Sequence, residues 1–229
     1  RQMCIRDSIN TFGIDEQCGC LFGKGSADAT FTLKASLQTI QEHQLEAHVL
    51  FVDLVKAFDS VNRELLWKIM MLYGIPDNLI TILKKLHTNV TYIMKVGEEE
   101  VKINGTVGVK QGDNLGPILF ILLIQAVAST LDKKWTFAMP DFRKHPLKKD
   151  GTIAYNPSLK RKVSKSSIGT SVSFNKSYYV DDAAYAFLSK KDIEEALKLI
   201  KSHFTRFGLT VHCGDRRNDG KSKTEAMYN

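Results

Sequence analysis

One stretch constrains this chain more than any other: Ser177-Tyr178-Tyr179-Val180-Asp181-Asp182-Ala183-Ala184-Tyr185-Ala186-Phe187. Two adjacent carboxylates sit between apolar and aromatic flanks. The flanks read as two short strands, and the aspartates fall where the chain turns between them. Like charges side by side repel, and apolar neighbours raise the cost of keeping both ionised. A divalent cation removes both penalties, because Mg²⁺ and Mn²⁺ take carboxylate oxygen and bridge to phosphate. A solvated Asp-Asp turn in an ordinary hairpin fits the same stretch equally well.

A third acid lies far upstream. His48-Val49-Leu50-Phe51-Val52-Asp53-Leu54 is an apolar run with one carboxylate near its end, and it reads as a buried strand. An unpaired carboxylate there is costly. A metal shared with Asp181 and Asp182 would satisfy it. Three acids from two strand ends suffice for two metals about 4 Å apart, the arrangement that clamps attacking and leaving oxygens in phosphoryl transfer. The bland alternative is an Asp that caps the following helix, with Lys56 as its ion-pair partner.

Three segments in order carry a resemblance. They are Phe51-Val52-Asp53-Leu54-Val55-Lys56-Ala57-Phe58-Asp59-Ser60-Val61-Asn62, then Gly108-Val109-Lys110-Gln111-Gly112-Asp113-Asn114-Leu115-Gly116-Pro117, then Tyr179-Val180-Asp181-Asp182. Together they resemble the palm motifs of reverse transcriptases, nearest to the non-LTR retrotransposon type. The family more often has Ala where Val180 stands. The resemblance implies an α+β fold: a right-hand polymerase palm with an antiparallel sheet packed on helices, and partial fingers. It implies two Mg²⁺ ions (Mn²⁺ as substitute) held by Asp53, Asp181 and Asp182. Ala57 and Phe58 would meet the incoming nucleotide, with Phe58 as the aromatic gate against a 2′-hydroxyl. Periodicity alone makes Phe58 equally a core residue at the start of a helix. Gln111 and Gly112 match the segment that touches the nucleotide, where glycine allows close approach and the amide bonds. Lys223 resembles the lysine suggested to protonate the leaving pyrophosphate.

Upstream, Gln17-Cys18-Gly19-Cys20-Leu21-Phe22-Gly23-Lys24 resembles the family's fingers motif, in which Gln-x-Gly is followed by an aromatic and then basic residues. Lys24 falls where a basic patch meets the triphosphate. Cys20 replaces the usual Phe. Read from the residues alone, the glycines make a turn. Arg1 to Ser8 look like translated adapter from a sequencing library and are set apart from the fold. The implied organisation is partial fingers over 9–48, palm over 49–60, fingers and palm helices with a hairpin over 61–108, and palm over 109–229.

The net charge of +7 is unevenly spread. Residues 133–165 hold ten basic side chains against Asp141 and Asp150, a net +8. Such a block neutralises phosphates with salt-dependent, sequence-independent affinity. Lys160, Arg161, Lys162 and Lys165 are its densest part, and Trp135, Phe137, Phe142 and Tyr155 offer rings for base stacking. A solvated loop between helix and strand explains the block as well.

The composition, 43% apolar and 25% charged, is that of a globular chain. The run from Pro117 to Leu131 is too short for a membrane span and reads as a buried helix. Cys18, Cys20 and Cys213 lack a fourth ligand at metal spacing, so reduced thiols of an intracellular protein, nuclear or cytoplasmic, are the better reading.

Further helices are expected over Ala27–Leu45, over Asn62–Tyr73 with Gly74 as its stop, over Asp77–His87, and over Lys190–Phe207, where Ser189 and Asp192 form a capping-box pattern and Gly208 is the stop. Strands are expected over Val90–Val96 and Val101–Val109, joined across Gly97 to Glu100, and over Leu209–Cys213 and Ala226–Tyr228. The implied function is a fragment of an RNA-directed DNA polymerase. It would join dNTPs to a DNA primer on an RNA template, without a membrane partner, and the isolated piece would show little processive synthesis. Rival readings are an inactive remnant, a non-catalytic RNA-binding module built on residues 133–165, and another two-metal enzyme such as a nucleotide cyclase or an RNA-templated RNA polymerase.

Overall fold

The computed structural model describes residues 13–14, 16–42, 45–110, 112–137, 176–213 and 222–228. Arg1 to Ser8, Gln111, Phe142, Tyr155 and the cluster Lys160, Arg161, Lys162 and Lys165 therefore lie outside the described residues. In chain order the elements are α1 (Ser26–Glu42), β1 (His48–Val52), α2 (Arg63–Leu72), α3 (Asp77–His87), β2 (Val90–Val96), β3 (Glu99–Gly105), α4 (Gly116–Asp132), β4 (Lys176–Tyr179), β5 (Asp182–Phe187), α5 (Lys190–Thr205) and β6 (Glu225–Tyr228). They fall into two compact units. One comprises residues 1–14, 54–134 and 200–211; the other comprises 15–53, 135–199 and 212–229.

The second unit is built on an antiparallel sheet of order β4-β5-β1-β6. β5 is buried from Ala183 to Phe187. Its unbroken apolar run, rather than an alternating one, is what a strand covered on both faces requires. β1 pairs with β5 from His48↔Phe187 to Val52↔Ala183, and on its other side with β6. α1 packs against β4 and β5. Trp135 stacks on Tyr185 with centroids 5.3 Å apart, and Phe137 sits edge-on to Phe187 at 5.7 Å. These two rings were expected to be available to bases. Instead they cover β5, because burying so much apolar area outweighs leaving it in water.

The first unit holds the helical core. α2 packs on both α3 and α4. Asn62 caps α2, its Oδ1 accepting the Leu65 N–H at 3.0 Å. Asp113, two residues before the N-cap position of α4, accepts the Leu115 and Gly116 N–H groups on Oδ1 at 3.1 and 2.5 Å. α4 is buried nearly all round, through Leu119, Phe120, Leu122, Leu123 and Val127 among others. β2 and β3 form a separate two-stranded sheet. The second strand starts at Glu99 and ends at Gly105, so the connection is two residues, Gly97 and Glu98, not four. Gly97 makes this tight turn with φ +65°. α5 ends at Thr205, two residues early, in a turn closed by Gly208 at φ +78°. Ser189 Oγ accepts the Asp192 N–H at its start, as expected from the capping pattern. The Leu209–Cys213 strand is reduced to a single bridge, Leu54↔Val211.

His203 lies in the first unit and is 2% exposed. Its Nε2 faces the Val127 carbonyl at 3.1 Å and the Thr130 hydroxyl at 3.0 Å, and its Nδ1 faces Lys134 Nζ at 3.5 Å. Burial, together with the Lys134 and Arg206 charges, pushes the imidazole below its ordinary value despite the Val127 bond. The unfolded chain therefore takes up this proton first. The stability present above about pH 6.5 is lost as the pH falls toward the folded value. Urea midpoints measured from about pH 7 to about 5.5 should fall in the unsubstituted chain and fall less in His203→Gln; parallel curves would refute the assignment.

Candidate active site

The acids come together by strand register. β4 and β5 pair from Lys176↔Tyr185 to Tyr179↔Asp182. The turn between them is thus only Val180-Asp181. Asp182 is the first residue of β5 rather than part of the turn, a one-residue correction to the sequence expectation. On the other side β1 ends at Val52, which pairs with Ala183. One more step in that register sets Asp53 opposite Asp182. Cross-strand partners share a face of the sheet, about 4.5–5.5 Å apart at Cα.

Asp53 is braced through its backbone. Its carbonyl accepts the His212 N–H at 2.8 Å, and its own N–H donates to Thr224 Oγ1 at 3.3 Å. The same late segment presents Lys223, whose N–H donates to His212 Nδ1 at 3.1 Å. The electrostatics show the four groups as neighbours. Burial first, then the charges of Asp181 and Asp53, push the Asp182 carboxyl above its ordinary value, and Lys223 partly offsets them. A hollow of about 410 Å³ opens beside these groups, lined by Asp53, Asp182, Lys223, Phe51, Tyr179 and Leu33. A larger one, about 930 Å³, lies in the other unit around Arg63, Trp67 and His87, and none of the acids lines it. Size alone therefore does not mark the chemistry.

Among the described residues, no three His, Cys, Asp or Glu side chains form a ready-made metal cage. Mg²⁺ does not need one. At phosphoryl-transfer sites it keeps several waters and takes one or two carboxylates plus substrate phosphate. Three mutually repelling carboxylates on one edge, with a lysine beside them, fit such an ion in donor type and charge.

The other predicted residues divide between the units. Lys24 stands exposed in the turn before α1, near enough to Cys18 to act on its thiol. Cys18, Cys20 and Cys213 are free thiols, and burial pushes Cys18 up. Ala57, Phe58 and Gly112 lie in the first unit. Phe58 is buried and stacked on Phe120 at 4.6 Å, so as it stands its ring packs in the core. Its carbonyl accepts the Val109 N–H at 2.9 Å, which ties it to the irregular segment leading toward Gly112. Gly112 itself takes φ +90°, a conformation that favours glycine.

Sequence reasoning missed two residues here. Val180 has φ +59°, a rare conformation for a β-branched residue and one that costs about 1–3 kcal/mol. Gln17, buried in the same unit, accepts the Val180 N–H on Oε1 at 3.0 Å. Only its place in the Gln-x-Gly stretch singled it out beforehand, and that spacing carries no sign of a partner so far along the chain.

Comparison with known proteins agrees with this architecture. The profile of the family described as reverse transcriptase (RNA-dependent DNA polymerase) matches residues 2–214. The chain is 28% identical over 116 residues to the Pol polyprotein of the type-2 retrotransposable element R2DM of Drosophila melanogaster, covering 50% of this chain and 11% of that protein. It is 33% identical over 86 residues to the Pol polyprotein of the type-1 element R2 of Popillia japonica, covering 37% of this chain and 14% of that one. Among solved structures, apo telomerase of Candida tropicalis, truncated from the C-terminal domain, aligns with 100% of this chain and 39% of its own (TM-score 0.57, 14% identity). The same organism's telomerase with a telomeric RNA fragment aligns with 100% and 33% (TM-score 0.63, 12% identity). At such identities these likenesses speak to fold alone.

Proposed function

This chain belongs to the reverse transcriptase family, and from that premise we propose that it carries the catalytic palm of an RNA-directed DNA polymerase from a retrotransposon-like element. The chain spans 11% and 14% of its two curated relatives, so the activity proposed is that of the longer protein. The observation that carries the reading is the register that sets Asp53 opposite Asp182, with Asp181 in the turn beside it.

The reaction is attack of a primer 3′-hydroxyl on the α-phosphate of a dNTP, with pyrophosphate leaving. Asp53 and Asp181 would hold two Mg²⁺ ions, with Asp182 contributing charge. When bound, the ions supply Lewis-acid stabilisation of the charge that develops on the phosphoryl oxygens. The chain's own part is placement. β1 and β5 fix the carboxylates, the backbone bonds of Asp53 hold its strand end, and Lys223 brings a proton donor to the edge of the same hollow. An RNA template and a DNA primer are the partners expected of this reading. No helix among the described residues is long and apolar enough to cross a membrane.

Mn²⁺ tests the reading directly. Titrated into the chain, it should broaden the NMR signals around residues 53 and 181–182 first. Broadening centred elsewhere, or none, would overturn the metal site. For Phe58 to act as the gate, its ring must leave Phe120 far enough to meet a sugar. In single-nucleotide incorporation, Phe58→Val should then raise rNTP use relative to dNTP by at least about tenfold, the worth of one steric contact of ~1.4 kcal/mol. An unchanged ratio removes Phe58 from the site and leaves it in the core.

A further inference from the structure

We propose that Gln17 is a positioning residue for the acid turn: with Gly19, it holds Val180 in the left-handed conformation that aims Asp181 and Asp182. Why that matters rests on the polymerase reading above; that Gln17 does it rests on geometry alone.

Val180 needs an external hold. A β-branched side chain disfavours φ +59°, and nothing in a Val-Asp turn favours it locally. Gln17 supplies both halves of a clamp. Its Oε1 accepts the Val180 N–H at 3.0 Å, and its Nε2 donates to the Val180 carbonyl at 3.5 Å. Both partner atoms belong to the one residue between Tyr179 and the two aspartates. Glu keeps the acceptor but loses the donor, and adds a negative charge next to two others.

The clamp is itself fixed. Gln17 is 2% exposed. Its backbone lies against β4 as a parallel bridge to Tyr178: Tyr178 N–H donates to the Glu16 carbonyl and Cys18 N–H to the Tyr178 carbonyl, both at 2.9 Å. The Gly19 N–H also donates to Gln17 Oε1, at 2.7 Å, which holds the amide in place. Position 19 must also lack a side chain. A Cβ there would stand 2.5 Å from both the Val180 Cγ2 and the Val180 nitrogen. The Gln17-Cys18-Gly19 turn is thus a cradle moulded on Val180.

A double-mutant cycle on this chain decides the matter. Gln17→Met keeps the volume and removes the amide; Val180→Gly removes the need for a clamp, because glycine takes positive φ freely. Free Mn²⁺ followed by electron paramagnetic resonance reads the acids, and urea midpoints read the turn. Gln17→Met alone should weaken Mn²⁺ binding about tenfold, and in the Val180→Gly background it should weaken it less than about threefold. An equal loss in both backgrounds overturns the proposal, because a merely structural glutamine predicts that result. If the unsubstituted chain binds no Mn²⁺, the polymerase reading fails. The clamp then stands or falls on urea, where non-additive midpoints support it and additive ones sink it. If Gln17→Met does not fold alone, recovery of a urea transition in the Val180→Gly background supports the clamp, and its absence there overturns it.

Discussion

Replacing Asp181 or Asp53 by Asn is expected to cut nucleotide incorporation by at least about 10³-fold, with no loss of stability. The amide keeps the size of the carboxylate and removes its charge. Metal ions at such sites contribute several kcal/mol of transition-state stabilisation, and each 1.36 kcal/mol is tenfold. Stability should move the other way. Asp181 and Asp53 both push the Asp182 carboxyl above its ordinary value, so neutralising either relieves repulsion in the absence of metal. Loss of function with an unchanged or higher melting temperature is a signature that misfolding cannot mimic. The comparison is made in the longer protein for rate and in this chain for melting. Full activity in either variant would sink the metal assignment. The rival reading, an RNA-binding module without catalysis, predicts RNA affinity indifferent to both substitutions.

The second large effect belongs to the first unit and to stability. The Arg63 guanidinium donates to four backbone carbonyls: Nε to Gly108 at 2.7 Å, Nη1 to His87 at 2.7 Å and Gly105 at 3.0 Å, and Nη2 to Val107 at 3.0 Å. It thereby ties the end of α3 to the end of β3 and to the irregular segment that follows. The backbone joins in, with the Gly108 N–H donating to Val61 and the Val109 N–H to Phe58, both at 2.9 Å. Gly108 sits at φ +81°, where a Cβ would lie 2.8 Å from the Asp59 carbonyl oxygen. Each charge-assisted bond is worth about 1.5–3 kcal/mol, but the released carbonyls recover some water. Arg63→Ala should therefore cost about 3 kcal/mol, or roughly 6–12 °C in melting temperature for a chain of this size. Arg63→Lys should recover little, because an ammonium lacks the planar fork that reaches four acceptors at once. A Lys variant that melts with the unsubstituted chain would show the four bonds to be incidental.

Much of the site is legible in the sequence. Apolar runs ending in carboxylates identify strand ends, since an acid is tolerated in such a run only where something meets it. The capping residues Asn62 and Ser189 and the glycine stops at 74 and 208 are local signals, and local signals survive folding unchanged. The errors were also local in origin. Strand alternation does not say where a hairpin turns, so β3 was read two residues late at its start. Basic neighbours suggested that Trp135 and Phe137 face nucleic acid, but the adjoining β5 offered more apolar area to cover.

Residue type and order were enough to mark the three acids and the family, because charge in an apolar run is costly at any distance from its partner. Long-range placement was not readable in the same way. That Gln17 meets Val180, that Arg63 gathers four carbonyls, and that Phe58 packs on Phe120 depend on which segments the sheet and helices bring together. Hydrogen bonds and ring contacts act over a few ångströms. Their partners are chosen by the packed chain and leave no mark in the spacing of either residue.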